Sequence, residues 1–270
     1  MKISVYIPCY NSEKTIEQCI KALKKQSSKP AEIIVIDDGS TDATKKIALE
    51  QKTKVISHKK NLGIATARNT ALKHAKHEFV AGIDSDAIAD KNWLKNLYQT
   101  MKKEDAVLIG GQVNEQVKTL ADKWRSIHMN QSWGKKKIIN PKYVSGNNFL
   151  SVKKTILEIG GYNTKYKTNY EDVDISKRLK KANHKIIYEP KAKIQHNIRD
   201  STTTVLNRHW KHMFWDYPTP NNFQNKFLKV IINFYTVLKF LLKDIVTKPK
   251  LLLIDIILFF HHSLNDLKYK

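Results

Sequence analysis

Two aspartates separated by a single serine, Asp84 and Asp86, directly follow the apolar run Phe79–Ile83. Carboxylates this close repel each other unless another charge offsets theirs. A divalent cation could do so, because Mg²⁺ and Mn²⁺ prefer oxygen ligands and bind one or two carboxylates together with phosphate oxygens. The alternative is a solvated polar loop after a strand. The motif thus raises the hypothesis of a cation that neutralises a phosphate-bearing substrate.

Strand and helix patterns alternate along the chain before and after this motif. The strands are predicted at Ile3–Pro8, Glu32–Ile36, Lys54–Ser57, Phe79–Ile83 and Ala106–Val113. The helices are predicted at Ser12–Gln26, Thr41–Gln51, Gly63–Ala75 and Trp93–Met101. This order predicts an α/β fold with a mostly parallel sheet that helices cover on both faces.

Polar clusters follow three of these strands, at Pro8–Asn11, Asp37–Ser40 and Asp84–Asp86. In open α/β sheets, ligands bind beyond the carboxyl ends of the strands, so the three clusters are expected to meet at one edge. Carboxylates such as those of Asp37 and Asp38 can accept hydrogen bonds from a base or a ribose hydroxyl there. No GxGxxG follows the first strand, which disfavours an ordinary dinucleotide fold.

The second half of the chain is less regular. Lys118–Tyr143 is basic and without clear periodicity, and a turn-rich segment, Val144–Phe149, leads into a strand. Further elements are predicted as helices at Lys153–Ile159 and Asp172–Ala182 and as two strands at Lys185–Tyr188 and Ala192–His196.

The C-terminal tail has an apolar character. Phe227–Leu242 is apolar except for a polar stripe at helical spacing (Lys229, Asn233, Thr236 and Lys239), and Leu251–Phe260 is interrupted by Asp255. A membrane span needs about 20 apolar residues, so we expect a helix pair that lies in a membrane interface. The alternative is that both helices pack on the globular domain or on a second subunit.

Composition limits the partners. The 270 residues have a net charge of +23, which favours nucleic acid, an anionic membrane or phosphorylated small molecules as partners. No nucleic-acid partner is expected, because aromatic residues are not interleaved with the basic ones in a nucleic-acid-binding signature. Cys9 and Cys19 are the two cysteines, so no disulfide framework is implied. A reducing cytosol and the absence of a secretory signal fit this pattern.

Five motifs taken together resemble one family. They are PCYN at Pro8–Asn11, IDDGSTD at Ile36–Asp42, NLGIATARN at Asn61–Asn69, DSD at Asp84–Asp86 and YEDVDISKRL at Tyr170–Leu179. In this order the chain resembles the family 2 glycosyltransferases. Each motif alone is unspecific, and the last departs from the family's EDxDLxxRL by Ile175 in place of the first leucine.

The resemblance implies a GT-A fold with a catalytic domain over residues 1–200, its nucleotide-binding part at 1–115 and its acceptor-binding part at 116–200. A helical extension over 201–270 would associate with an anionic membrane surface. It further implies a metal-dependent, inverting transfer of a sugar from a UDP- or GDP-linked donor to a hydroxyl of a glycan or lipid-linked glycan, in cell-surface polysaccharide or glycoconjugate synthesis. The protein would then be cytoplasmic and peripheral on the inner face of the cell membrane.

The resemblance also carries roles onto residues. Asp172 would be the catalytic base, and Mn²⁺ or Mg²⁺ would be held by Asp86, Asp84 and His196. The nucleotide-binding set would be Pro8, Tyr10, Asn11, Asp37, Asp38, Gly39, Arg68, Asp84 and Ser85. The acceptor or sugar set would be Gly146, Asn147, Asn148 and Glu171. Three of these residues also have a purely structural alternative. Asp172 could cap a helix, Arg68 could lie on the protein surface, and His196 could have a structural role.

Two rival functions remain. A polyprenyl-phosphate sugar synthase has a phosphate acceptor, which needs no strong base, so Asp172 would be dispensable. A non-catalytic nucleotide-sugar-binding protein would bind nucleotide without transfer, and the intact DSD and YED motifs speak against it.

Overall fold

The computed structural model describes residues 2–129, 131–215, 217 and 219–269. These residues form two compact units. The first unit comprises Met1–Asn114 and Gln131–Asn197, and the second comprises Glu115–Asn130 and Ile198–Lys270.

A mixed sheet forms the centre of the first unit. Its strands are β1 (Ile3–Cys9), β2 (Glu32–Asp37), β3 (Lys54–Ser57), β4 (Phe79–Ile83), β5 (Ala87–Ala89), β6 (Leu108–Glu115), β7 (Ile138–Ile139), β8 (Asn148–Val152) and β9 (Ile186–His196). The order is β3-β2-β1-β4-β8-β6-β9-β5, and β7 pairs with β9. Strands β3, β2, β1 and β4 are parallel, whereas β8 is antiparallel to β4 and β6, and β9 to β5 and β7.

Helices cover both faces of this sheet, as the alternation of elements predicted. They are α1 (Ile16–Lys24), α2 (Thr44–Glu50), α3 (Ile64–His74), α4 (Trp93–Glu104), α6 (Lys153–Glu158) and α7 (Glu171–Lys181). Successive β1 residues point to opposite faces. Ile3, Val5 and Ile7 join the apolar cluster that contains the buried side of α1, and Tyr6 joins the cluster under α3. The buried sheet fixes where each strand ends and therefore where the polar clusters meet.

The C-terminal part of the sheet differs from the prediction in two details. The two strands expected at Lys185–Tyr188 and Ala192–His196 form the single strand β9. Proline at position 190 and the polar Glu189 interrupt the apolar pattern, but the fixed φ of proline is compatible with extended backbone. Strands β5 and β7 were not predicted, because their three and two residues are too few for a periodic signal.

Helices dominate the second unit. They are α5 (Leu120–His128), α8 (Thr202–Phe214), α9 (Phe223–Thr247) and α10 (Leu252–Lys268), with a 3₁₀ turn at Pro249–Leu251. The segment Lys118–Tyr143, for which no element was predicted, thus contains α5. A capping box begins this helix: Asp122 N donates to Thr119 Oγ1, and Thr119 N donates to the Asp122 carboxylate.

The tail helices turn their polar side inward. Lys229 and Asn233, from the predicted polar stripe, are buried within this unit, while Lys239 is exposed. Large apolar side chains are more than half exposed at Phe223, Phe227, Phe234, Tyr235, Leu242, Ile245, Val246, Leu253, Phe260, Leu264 and Leu267. Within the described residues, every helix is too short or too polar to cross a membrane.

Candidate active site

The loops after β1 and β2 are tied together at the carboxyl edge of the sheet. Asn11 donates its backbone N–H to Ser40 Oγ at 3.0 Å, and its Oδ1 accepts from Thr41 N at 2.9 Å. Asn11 has a left-handed backbone with φ 49°, which asparagine tolerates better than most residues. Pro8 is buried, whereas the neighbouring Tyr10 ring is 48% exposed and free to stack on a planar ligand.

Asp37 and Asp38 are both buried and differ in the groups that donate hydrogen bonds to their carboxylate oxygens. Asp37 Oδ1 accepts from Ser40 N at 3.0 Å and so closes the turn in which Gly39 has φ 79°. Asp38 accepts from Leu62 N at 2.9 Å and from Gly63 N at 2.8 Å, and His58 Nδ1 lies 2.6 Å from Asp38 Oδ1. Both oxygens of Asp38 thus fix the loop before α3, and contact of this carboxylate with a nucleoside stays a prediction.

His58 was not predicted to belong to the site, although its position in the sequence could have indicated it. It immediately follows β3, whose carboxyl end neighbours that of β2 in the parallel sheet. Residues directly after adjacent parallel strands lie at the same edge. That rule places His58 beside Asp38.

The DSD motif forms the turn between β4 and β5. Ala87 N donates to Asp84 O at 3.1 Å, and Ser85 Oγ lies 2.8 Å from Ser12 Oγ, which joins this turn to the loop after β1. In the antiparallel register of β5 and β9, His196 lies opposite Ala87. This register brings His196 Nε2 within 3.4 Å of Asp86 Oδ1.

A carboxylate and an imidazole in this arrangement suit a cation such as Mn²⁺, which accepts oxygen and nitrogen donors. Asp86 is partly exposed, so a substrate phosphate could complete the coordination. Asp84 is oriented differently, since its Oδ1 lies 3.3 Å from Arg68 Nη2. The residues present therefore fit a cation held by Asp86 and His196, with Asp84 beside it.

Arg68 is buried and joins the two carboxylate motifs. Its Nη2 faces Asp84, its Nε lies 3.2 Å from Glu171 Oε1, and its Nη1 donates to Tyr6 Oη at 3.2 Å. The guanidinium also lies 5.6 Å from the centre of the Phe149 ring. Only 2% of the residue is exposed, so it is not a surface arginine, and it acts on the site through Asp84 and Glu171.

Glu171 and Asp172 begin α7, and Glu171 brings this end of the helix against the same guanidinium. Asp172 is partly exposed, and its Oδ2 accepts from Gly146 N at 2.9 Å. Gly146 is required there, because a Cβ would lie 2.8 Å from Arg68 Nη2 and 3.1 Å from Glu171 Oε1. The preceding Tyr170 has φ 78°, a strained value for a tyrosine and one that recurs at functional sites.

Burial and neighbouring charges shift the pKa values of Glu171 and Asp84. Burial and the neighbouring Asp172 carboxylate raise the pKa of Glu171 to about 7, against the lowering effect of Arg68. Burial also raises the pKa of Asp84, opposed by Arg68 and His196 and reinforced by Asp86 and Asp172. Perturbed carboxyl groups that influence one another in this way are typical of catalytic sites.

The two asparagines expected to meet the sugar are engaged elsewhere. Asn148 is fully buried, accepts from Trp93 Nε1 at 2.7 Å and donates to the carbonyls of Gln112 and Ala192. Asn147 is 3% exposed and bonds to Ser145 Oγ and Gln131 Oε1. These amides hold the segment that carries Gly146, and their contact with the sugar or acceptor stays a prediction.

Comparison with known proteins agrees with this geometry. A family model described as glycosyl transferase family 2 matches residues 4–162. Glycosyltransferase GlyG of Streptococcus pneumoniae is 36% identical over 118 residues, which are 42% of this chain and 39% of GlyG. The Escherichia coli UDP-Glc:alpha-D-GlcNAc-diphosphoundecaprenol beta-1,3-glucosyltransferase WfgD is 37% identical over 112 residues, 40% of this chain and 44% of WfgD. The matched segments thus span less than half of these relatives.

Solved structures share the fold. The mannosyltransferase PcManGT of Pyrobaculum calidifontis, in complex with GDP-Man and Mn²⁺, has a TM-score of 0.67 at 14% identity, covering 99% of this chain and 87% of that one. S. aureus TarS has a TM-score of 0.58 at 20% identity, covering 79% and 66%. These likenesses confirm the GT-A fold expected from the sequence.

Replacing Arg68 by methionine is expected to destabilise the protein strongly. Asp84 and Glu171 would then lack their buried partner, a loss that is worth about 3–5 kcal/mol. Urea unfolding would measure the change. The control is Arg208→Met, because the Arg208 side chain is 43% exposed and pairs with Asp200 at 3.5 Å, a contact worth about 1 kcal/mol at most. Equal losses in both variants would contradict the central role of the Arg68 ion pairs.

The raised pKa of Glu171 predicts a pH-dependent contribution to stability. The folded state binds this proton more tightly than the unfolded chain, whose carboxyl keeps its usual value of 4.5. The contribution is therefore fully present below pH 4.5 and is lost as the pH rises to about 7. The free energy of unfolding of wild type, relative to that of Glu171→Gln, should fall across this window by at most about 1.4 kcal/mol per pH unit. Parallel pH profiles for the two proteins would contradict the assignment.

Proposed function

The chain belongs to glycosyltransferase family 2 and is a glycosyltransferase, and we propose that it transfers a sugar with inversion from a nucleoside-diphosphate donor to a hydroxyl of a lipid-linked glycan. One observation carries this proposal: the buried Arg68 binds both Asp84, which is next to the Asp86–His196 pair, and Glu171, which is next to Asp172, so the two acidic motifs meet at one guanidinium. A displacement at a sugar carbon needs two such groups, one at the leaving group and one at the attacking oxygen.

The donor diphosphate would lie at Asp86 and His196. A divalent cation, Mn²⁺ or Mg²⁺, bound there would neutralise the charge that develops on the departing diphosphate. PcManGT supports this assignment, since its structure holds GDP-Man and Mn²⁺. Arg68 orients Asp84 beside the cation site, and the exposed Tyr10 would stack on the base.

Asp172 would take the proton of the attacking hydroxyl. The acceptor oxygen forms a bond to the anomeric carbon as the bond from that carbon to the diphosphate breaks, and the hydroxyl proton passes to the Asp172 carboxylate. The Gly146 N–H fixes this carboxylate, and the side chain keeps an exposed surface. Glu171, whose Oε1 faces Arg68, would fix the start of α7 and so keep Asp172 at a constant distance from Asp84.

A glycan on a lipid diphosphate is the proposed acceptor, and WfgD, whose name specifies such an acceptor, supports it. The second unit would place the enzyme at the membrane surface, cytoplasmic and peripheral on its inner face. Its tail helices expose apolar side chains and bury polar ones, a distribution suited to a lipid interface. Exposed lysines at Lys239, Lys243, Lys250 and Lys268 would attract anionic lipid.

Asp172→Asn is expected to lower kcat by about 10²–10⁴-fold, because the amide cannot accept the proton. Turnover would be followed as nucleotide release from UDP-glucose, UDP-GlcNAc and GDP-mannose, with GlcNAc-diphosphoundecaprenol as acceptor. Nucleotide affinity should stay unchanged, which separates loss of the base from loss of the fold. Asp174→Asn is the control, since Asp174 lies on the same helix and pairs with Arg178 at 2.8 Å. Full activity of Asp172→Asn would contradict the base assignment and favour a phosphate acceptor, as in a polyprenyl-phosphate sugar synthase.

The membrane assignment predicts binding to vesicles that contain phosphatidylglycerol and weaker binding to pure phosphatidylcholine. Co-sedimentation would measure both. The double variant Leu242→Glu with Val246→Glu, at positions 69% and 83% exposed, should bind at least about 10-fold more weakly because it loses two apolar contacts. Leu49→Glu, at a 52% exposed position on α2, should bind as wild type. Unchanged sedimentation of the double variant would exclude the tail as the membrane contact.

A further inference from the structure

Three metal-ligating side chains meet inside the second unit. They are His128 at the end of α5, Asp244 in the last turn of α9 and Asp255 in the first turn of α10. One ligand atom from each lies within 4.8 Å of the other two. Both aspartates are fully buried, with 0% exposure.

Only two of the four carboxylate oxygens of Asp244 and Asp255 have a hydrogen-bond partner among the described residues. Asp244 Oδ2 lies 2.9 Å from His128 Nε2, and Asp255 Oδ1 accepts from Trp124 Nε1 at 2.6 Å. The other two oxygens, Asp244 Oδ1 and Asp255 Oδ2, are buried without a hydrogen-bond partner among the described residues. Buried polar atoms are nearly always satisfied, so two orphaned oxygens in one cluster point to a missing ligand.

The required ligand is positively charged. Two buried carboxylates beside an imidazole carry up to two negative charges, and within the described residues neither aspartate has a lysine or arginine ion pair. Asp244 also lies at the carboxyl end of a helix, where the helix dipole disfavours a negative charge. A proton shared between the two orphaned oxygens would offset only one of the two charges, whereas a divalent cation would satisfy both oxygens and offset both charges.

We propose that His128, Asp244 and Asp255 bind a divalent transition-metal ion with a structural role. One imidazole nitrogen and two carboxylate oxygens form a donor set that Zn²⁺ accepts. Donors at about 2.1 Å from a tetrahedral ion lie about 3.4 Å apart, so small side-chain shifts would close the present cluster around an ion. The rings of Trp124 and Phe240 lie 4.9 Å and 4.1 Å from that of His128 and shield the site from water.

The ion would join three segments that are distant in sequence. Helix α5 follows β6, whereas α9 and α10 belong to the tail. The three ligands therefore connect α5 to the turn between the tail helices. Such a site contributes to folding, because the unfolded chain cannot assemble it.

Zn²⁺ binding to the full-length Asp86→Asn protein tests the proposal, since that substitution removes the proposed donor-site cation. After chelator treatment, equilibrium dialysis should show one bound equivalent of Zn²⁺, and the ion should raise the unfolding temperature. His128→Gln and Asp255→Asn, made in this background, should weaken Zn²⁺ binding by at least about 100-fold. Asp266→Asn is the matched control and should bind Zn²⁺ normally, because both oxygens of the buried Asp266 are occupied by Trp210 and Asn233.

Two results would overturn the proposal. If the Asp86→Asn protein binds no Zn²⁺ at tenfold excess, the cluster shares a proton and is not a metal site. If Asp255→Asn retains the bound equivalent, the ion lies elsewhere, for example at His209 and His262, whose ring nitrogens are 2.9 Å apart. Neither result bears on sugar transfer, which is measured by nucleotide release.

Discussion

A buried guanidinium between two acidic motifs is the interaction on which the site depends. Arg68 is carried by α3, Asp84 follows β4 and Glu171 begins α7, so three separate elements meet at one positive charge. Without this positive charge the buried Glu171 and the partly exposed Asp84 would lose the ion pairs that favour their charged forms. The same contact sets the spacing between the proposed cation site at Asp86 and the proposed base Asp172. Gly146 completes this arrangement, because a Cβ at this position would press on the guanidinium, 2.8 Å from Arg68 Nη2.

That the polar clusters meet at one edge of the sheet could be predicted from the amino-acid sequence. Parallel strands bring their carboxyl ends to one edge, so the loops beginning at Pro8, Asp37 and Asp84 could be placed together from the strand pattern alone. The role of each side chain was harder to predict. Asp38 and Asn148 are polar residues next to the segments proposed to bind ligand, and both bind backbone or side-chain groups inside the fold. Which groups a polar residue meets depends on tertiary packing, and one chain carries no periodic signal for that.

In the C-terminal tail, too, the sequence predicted the helices but not the groups that their polar side chains meet. Its helical periodicity was visible, but the direction of its polar stripe was not, since a stripe at helical spacing can face water or a partner. The structure places Lys229 and Asn233 inside the second unit and leaves many apolar side chains exposed. Helix α5, hidden in a segment with no clear pattern, contributes Trp124 and His128 to this interior. The second unit thus buries polar side chains, among them the proposed metal ligands, and exposes apolar side chains, which form the proposed membrane surface.

The central claim is that Asp86 and His196 bind a cation that holds a nucleoside diphosphate. The most direct measurement is the thermal shift that UDP, GDP, TDP and CDP each produce, with Mn²⁺ and with a chelator, in wild type and in Asp86→Ala. The account predicts a shift for one nucleotide that requires Mn²⁺ and disappears in Asp86→Ala, which would also identify the donor base. The absence of a metal-dependent shift with all four nucleotides would contradict the account.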